Sequence, residues 1–478
     1  MATLTGFWLI RHDTMAHLNS TYHDLARLVY KKLAKTNYPQ PSESILTHLF
    51  ENLFFTSLKT EEGQLIKVTV TFIDPADPDP SPPERIVADR WNYIHFRKRI
   101  PFTVKNIVKL SKAADPWSSS LAVYYDANNE LYIWGMIDQA VHYQDFLNYE
   151  TESGSEQPGF FQTSISDIGS IHVMLDYELI ATLKQNTLIS NYVDVFRKGT
   201  VNKILKSFSE PYKKAIRSYI NKYYKDEDPK DWDEYIETSI IQSLSRILLK
   251  SQNYHHGGAF LMTPYKKAGL IVKHELSYDR LFKAIVNYIQ LNISHYKYSN
   301  AIADQFSRDE KNLLPVSLYV SENVSEAQKN ETSDEIKGAI RFISSLSCID
   351  GLVVLTTDLK VKGFGTVIRS KPMPPYVYVA KSATVSDDKI TAVSSNQFGT
   401  RHCSMFSYCW NNNGSLGFVI SQDGDIRAIT RVEDKLIIWE NIKVQQFIKS
   451  DKISRPLHIK SDLGKQLTQP STIVHREG

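Results

Sequence analysis

Two stretches of this chain read as paired strands and constrain the fold more than anything else in it. GLVVLTTDLKVKGFGTVI (351–368) and LGFVISQDGDIRAIT (416–430) each carry an apolar run, a short polar turn and a second apolar run. That is the pattern of strand, tight turn, strand. VYVAK (377–381) supplies another strand between them, and a helix is expected to begin near Thr400. Strands interleaved with helices imply a mixed sheet with helices on its faces, so the fold class expected here is α+β or α/β.

The rest of the chain is read against that block. HDLARLVYKKLAK (23–35) sets Leu25, Leu28, Val29 and Leu33 on one helical face, and KVTVTFI (67–73) alternates as a strand does. The run Asp74-Pro75-Ala76-Asp77-Pro78-Asp79-Pro80-Ser81-Pro82-Pro83 sustains neither a helix nor a ladder, so it is either a domain boundary or a long surface loop. From about 85 to 200 the text is mostly strand and turn, clearest in the hairpin LAVYYDANNELYIWGMID (121–138), with a polar loop at 150–159 and a strand at 171–175. Helical spacing returns in 233–249, where Ile236, Ile240, Ile241, Leu244, Ile247 and Leu248 share a face. AFLM (259–262) reads as a short buried strand, and a further helix is expected over 277–295. A polar gap at 322–333 precedes Thr332-Ser333-Asp334-Glu335, which has the form of a capping box opening a helix through Leu346. The division expected is a small N-terminal α/β segment (1–73), a Pro-rich connector (74–84), a β-rich accessory domain (85–200), a mixed-sheet domain with N-terminal helices (201–442) and a polar tail (443–478).

Composition excludes several classes. With 42% hydrophobic and 23% charged residues the chain can build real cores. A formal net charge of +3 gives no bulk signal for DNA. Cys348, Cys403 and Cys409 form no CxxC pair, which argues against a disulfide framework or a zinc site. No apolar run approaches membrane-spanning length and the start has no signal-peptide form, so a cytoplasmic protein is expected. Trp117 and Trp134 are expected to anchor cores or interfaces.

Two short motifs carry chemistry. Asp350-Gly351 stands where a helix hands over to a buried strand. Its carboxylate could bind a metal or accept a proton and its glycine could let a ligand approach, or the pair could be an ordinary turn. Gly399-Thr400-Arg401-His402 opens the helix expected near Thr400. Backbone N–H groups, a hydroxyl, a guanidinium fork and an imidazole all suit phosphate, though a solvated turn could have the same composition.

Taken together and flanked by these strands, the two motifs resemble the diadenylate cyclase (DAC) family, whose hallmarks are a DGA and a GTRHR motif. The likeness extends to Gly257-Gly258-Ala259-Phe260-Leu261-Met262, to GFGTVI and to VISQDGDIR, and covers about 230–442. It implies a pocket at the sheet edge that takes ATP or a related cyclic nucleotide. Asp350, Gly351, Leu352, Gly399, Thr400, Arg401 and His402 would line that pocket. In an active member Asp350 would be the catalytic carboxylate and the ligand for Mg2+ or Mn2+, with two facing copies in a homo-oligomer joining two ATP into cyclic di-AMP.

This chain departs from the pattern. DGA is Asp350-Gly351-Leu352, RHR is Arg401-His402-Cys403, and Asn411-Asn412-Asn413 stands where an acidic ligand is often found. These changes remove charge suited to catalysis more than to binding. KLSKAADPWSSSLAVYYDANNELYIWGMID (109–138) resembles the accessory region of a sensor-type branch, the DACNV-like proteins. A nucleotide sensor is therefore the first expectation. A divergent cyclase is the second, and an interaction module with a vestigial pocket the third. WLIRHDTM (8–15) resembles the start of histidine phosphatases, but Asp13 replaces the required glycine. His12, His17, His255 and His256 are read as surface or strand-entry residues.

Overall fold

The computed structural model describes residues 19–36, 38, 40–79, 90–114, 118–139, 161–175, 178–254, 256–264, 269–307, 315–369, 372–421 and 424–444. The chain forms two compact units, Met1–Val193 and Asp194–Gly478. His12, Asp13, His17, Trp117, His255 and the polar tail from 445 lie outside the described residues.

In the first unit, α1 (Tyr22–Leu33) and α2 (Glu43–Ser57) are followed by a small hairpin, β1 (Thr60–Glu61) and β2 (Gln64–Leu65). Then come β3 (Val68–Phe72), β4 (Asn92–Pro101), α3 (Val104–Ser111), β5 (Ser119–Tyr125), β6 (Leu131–Asp138), β7 (Phe161–Asp167), β8 (Ser170–Leu175), β9 (Glu178–Lys184) and β10 (Thr187–Ile189). Eight strands form one sheet in the order β10-β9-β8-β7-β3-β5-β6-β4. Because β3 lies between β7 and β5, residues on both sides of the Pro-rich run feed a single ladder. Asp24 accepts from the Thr21 N–H at 2.9 Å, and Ser42 Oγ accepts from the Ile45 N–H at 3.2 Å, which start α1 and α2. Leu25, Val29 and Leu33 then meet Leu46, Leu49 and Phe50 over Val68, Val70, Phe72, Ile171 and Val173. Each such fully buried side chain stabilises by about 1.5–3 kcal/mol relative to exposure.

The second unit contains α4 (Gly199–Ser207), α5 (Glu210–Tyr223), α6 (Asp233–Asn253), β11 (Gly258–Met262), β12 (Leu270–Ile271), β13 (His274–Tyr278), α7 (Arg280–Ser307) and α8 (Val316–Ser345). After these follow β14 (Leu352–Leu355), β15 (Val361–Ile368), β16 (Tyr376–Ala380), β17 (Ile390–Ser394), α9 (Thr400–Asn411), β18 (Leu416–Ile420), β19 (Ile426–Val432) and β20 (Lys435–Trp439). The sheet runs β12-β15-β14-β11-β18-β19-β20-β16-β17, with β13 also on β15. The pairs β11/β14 and β16/β20 are parallel and the other ladders antiparallel, so the mixed α/β class expected from the sequence holds. Met405, Phe406, Tyr408 and Cys409 of α9 pack on one face, against Leu261, Val354, Val419, Ile429 and Ile438. On the strand's other face Phe418 stacks with Phe196 at 6.0 Å.

Two helices differ from their expected bounds. α7 runs to Ser307, and α8 begins at Val316 and passes unbroken through the polar 322–333 stretch. Thr332 is therefore not a cap. Its Oγ1 donates to the Gln328 carbonyl at 2.8 Å, one turn back. Ser299–Glu322 at 2.6 Å and Arg280–Glu335 at 2.9 Å hold α8 antiparallel to α7, and that neighbour keeps the polar stretch helical. A third helix, α3, stands inside the region expected to be mostly strand and turn.

Candidate functional site

The site is built where two breaks in regular structure meet. α8 ends in a short 3-10 turn, Leu346–Cys348, and Ile349, Asp350 and Gly351 carry the chain into β14. Gly351 has φ +120, and a Cβ there would lie 2.5 Å from the Gly365 carbonyl carbon. Only glycine fits that crossing of two backbones. Beyond it Leu352 turns into the core under α9. Asp350 stays outside, its side chain 90% exposed.

α9 brings the second motif to the same place. Gly399 is its N-cap, with no side-chain cap, and a Cβ there would meet nothing within 4 Å. The first intrahelical bonds go from the His402 and Cys403 N–H groups to the Gly399 carbonyl, at 3.0 and 3.1 Å. The approach to the first turn is thus open, and the helix dipole favours an anion there. Arg401 Nη2 lies 3.9 Å from Asp350 Oδ1. The two motifs, fifty residues apart in sequence, are close enough for one small ligand to touch both.

His402 points to the other side of this turn. Arg427 Nη1, from β19, lies 3.0 Å from its Nε2, and Arg427 Nε lies 3.4 Å from Glu440 Oε1. Burial first, then the charges of Arg427 and Arg401, push the imidazole down to about 4. It is neutral at ordinary pH. Cys403 Sγ donates to the Phe398 carbonyl at 3.3 Å, and burial pushes its thiol up. It ties the loop before the helix to the helix rather than facing the opening.

Asn411, Asn412 and Asn413 lie at the far end of α9, where their amides engage nearby backbone. Asn411 Nδ2 donates to the Ser407 and Pro372 carbonyls at 2.8 Å, and Asn412 Nδ2 donates to the Tyr408 carbonyl at 2.9 Å. Among the described residues no three His, Cys, Asp or Glu side chains cluster closely enough to hold a metal ion. A lone carboxylate fits an Mg2+ or Mn2+ ion completed by water and phosphate oxygens, not an all-protein cage.

Two members of this neighbourhood stand in segments that carry the family likeness, Thr366 in GFGTVI and Arg427 in VISQDGDIR, but were not among the expected site residues. Arg427 reads as an ordinary strand residue. Thr366, which pairs with Leu352 across the ladder, is 1% exposed, and its Oγ1 has no hydrogen-bond partner among the described residues. A separate cleft of about 300 Å³ lies between α5, α7 and α8, lined by Tyr219, Asn287, Gln290, Gln328 and Glu331 among others. It contains none of the motif residues.

Comparison with known proteins adds one likeness in the first unit. Residues 35–138 match the family model of a probable sensor domain, DACNV. No curated protein and no solved structure matches the chain. No helix among the described residues is long and apolar enough to cross a membrane.

Proposed function

We propose that the second unit binds a nucleotide, ATP or a related cyclic nucleotide, at the meeting of Asp350 with the first turn of α9. The protein as a whole is then a nucleotide-responsive sensor. The observation that carries this reading is the 3.9 Å approach of Arg401 to Asp350 beside an uncapped helix start. Phosphate oxygens would take the backbone N–H groups and the Arg401 fork at the open first turn of α9. The likeness of residues 35–138 to a probable sensor domain supports the sensing half of the proposal.

A divergent diadenylate cyclase is the second reading, favoured by the exposed carboxylate of Asp350 at the mouth of the site. In it Asp350 would share a divalent ion with the triphosphate and assist a 3′-hydroxyl, and a second copy would supply the facing site. An interaction module with a vestigial pocket is the third reading.

One experiment separates the three. The full chain is incubated with ATP and Mn2+ or Mg2+, and both cyclic di-AMP and the melting temperature are followed across a nucleotide panel. A nucleotide-dependent rise in melting temperature that Arg401→Ala removes, without product, supports the sensor. Product that disappears in Asp350→Asn establishes the cyclase. Neither signal leaves only the interaction module.

A further inference from the structure

The near-balanced charge of the whole chain conceals one strongly basic segment. Between Trp91 and Ala114 there are six cations (Arg97, Lys98, Arg99, Lys105, Lys109 and Lys112) and no carboxylate. All six are exposed. Lys105, Lys109 and Lys112 follow i, i+4, i+7 spacing along the outer side of α3 and its C-cap, while Arg97, Lys98 and Arg99 lie in β4, the edge strand of the eight-stranded sheet. Arg97 and Lys98 have no carboxylate partner among the described residues, and Lys112 has only Glu62, at 3.4 Å in solvent.

The edge is shaped in a way that explains what it does not do. His95 pairs with Gly135 and Ile100 with Ile133, so four residues of β4 oppose the single Trp134. Gly135 permits the tight side of this bulge, since a Cβ there would lie 2.1 Å from the Ile94 carbonyl oxygen. The bulge throws Phe96-Arg97-Lys98-Arg99 out of register, and Pro101 ends the strand without an N–H. Such an edge cannot accept a partner strand in a regular ladder. Main-chain docking of an extended peptide is thereby disfavoured, and what remains for a ligand is side-chain chemistry.

That chemistry is aromatic as well as basic. Trp91, Tyr132 and Trp134 form one buried cluster. Tyr93 lies over Trp91 at 5.9 Å, His95 over Trp134 at 4.6 Å, and the Arg99 guanidinium over Tyr132 at 4.3 Å. Tyr93 and His95 are exposed on top of this cluster. Rigid exposed rings beside free cations suit a ligand that offers flat bases and phosphates in alternation.

We infer that the bulged β4 edge forms a binding site for single-stranded nucleic acid. Bases stack on Tyr93 and His95, and phosphates run along Arg97, Lys98 and Arg99 of the bulge. A duplex hides its base faces and cannot stack in this way, so the site favours single strands. The site lies in the first unit and is independent of the nucleotide site proposed for the second.

The test is fluorescence anisotropy of the full chain with labelled single strands of about twelve nucleotides, one DNA and one RNA, at about 50 mM salt. Saturable binding is expected, weakening with salt at a log–log slope of about −2 or steeper, as three or more phosphate contacts at about 0.7 each require. Tyr93→Ala and the pair Arg97→Glu/Lys98→Glu are each expected to weaken it about tenfold. Arg97 and Lys98 are exposed, so their variant is expected to keep its circular dichroism and melting temperature. Tyr93 is 37% exposed and packed on Trp91, so Tyr93→Ala is expected to keep its circular dichroism with a modest fall in melting temperature. The inference is overturned by an absence of binding, by tighter binding to the matching duplex, to phosphatidylserine vesicles or to a poly-glutamate peptide, or by a Tyr93→Ala protein that binds normally. Binding that survives in the β4 variants and is lost in Arg401→Ala would move it to the second unit and equally overturn it.

Discussion

Arg427 Nη1 lies 3.0 Å from Nε2 of His402. A guanidinium only donates, so the imidazole accepts at Nε2 and carries its proton on Nδ1. Arg427 thus fixes the tautomer of a residue in the first turn of α9. Two other influences act on the same ring, burial and the neighbouring Arg401.

Replacing Arg427 with Met is expected to let His402 titrate at higher pH, moving part of the way back from about 4 toward 6.5. The return is partial because burial, the largest cause, remains. The sign for stability follows from linkage. With its folded pKa below the unfolded value, His402 stabilises nothing by protonation, and stability falls as pH drops from about 6.5 toward about 4. Arg427→Met should flatten that loss, read as melting temperature against pH beside an NMR titration of the His402 ring. An unmoved ring signal would refute the pairing.

Gly351 and Gly399 predict opposite outcomes for the same substitution. Gly351→Ala places a methyl 2.5 Å from Gly365 at φ +120, so it should cost about 3 kcal/mol or more and lower the melting temperature by many degrees. Gly399→Ala enters open space at φ −70 and should cost no more than about 1 kcal/mol, the range for an N-cap change. Chemical denaturation of the two variants is the measurement.

Thr366 offers a test of whether the site is built for a ligand. Its buried hydroxyl has no partner among the described residues, so Thr366→Val should leave the free protein equally stable or up to about 1 kcal/mol more stable. Thr430 is the control. Its Oγ1 donates to the Ser415 carbonyl at 2.8 Å, and Thr430→Val should cost about 1 kcal/mol. If a nucleotide takes the Thr366 hydroxyl, Thr366→Val also reduces the ligand-induced rise in melting temperature. An unchanged rise means that the hydroxyl serves no ligand.

Strands that are continuous apolar runs, such as Leu352–Leu355 and Leu416–Ile420, were legible because every residue in them is buried and the sheet is covered on both faces. The N-terminal half of α8 was not, because its polar text suits a loop as well as a solvated helix face, and only α7 decides between them. α3 was hidden because Val104, Ile107 and Val108 are β-branched and mimic a strand. Asp350 and Arg401 were paired by family likeness alone. Arg427 and Thr366 lie in segments that the likeness covers, yet their roles did not show, since these arise from neighbours on other elements that spacing does not encode.

The Asp350–Arg401 approach makes the last prediction, and it separates binding by charge from binding through a metal. At 3.9 Å with Asp350 in solvent, this ion pair adds little to stability, yet it places a carboxylate where an incoming phosphate would meet the guanidinium. Without divalent ions the carboxylate competes with the ligand. Asp350→Asn should then tighten ATP binding, by up to about fivefold if the pair is worth as much as about 1 kcal/mol. With Mg2+ or Mn2+ present the sign reverses if Asp350 helps hold an ion shared with the triphosphate, because the amide offsets none of the ion's charge. Isothermal titration of ATP into both proteins, with and without metal, reads the two cases directly. Tightening under both conditions assigns Asp350 to charge balance. Weakening in metal alone assigns it to the ion, and no change under either removes it from the site.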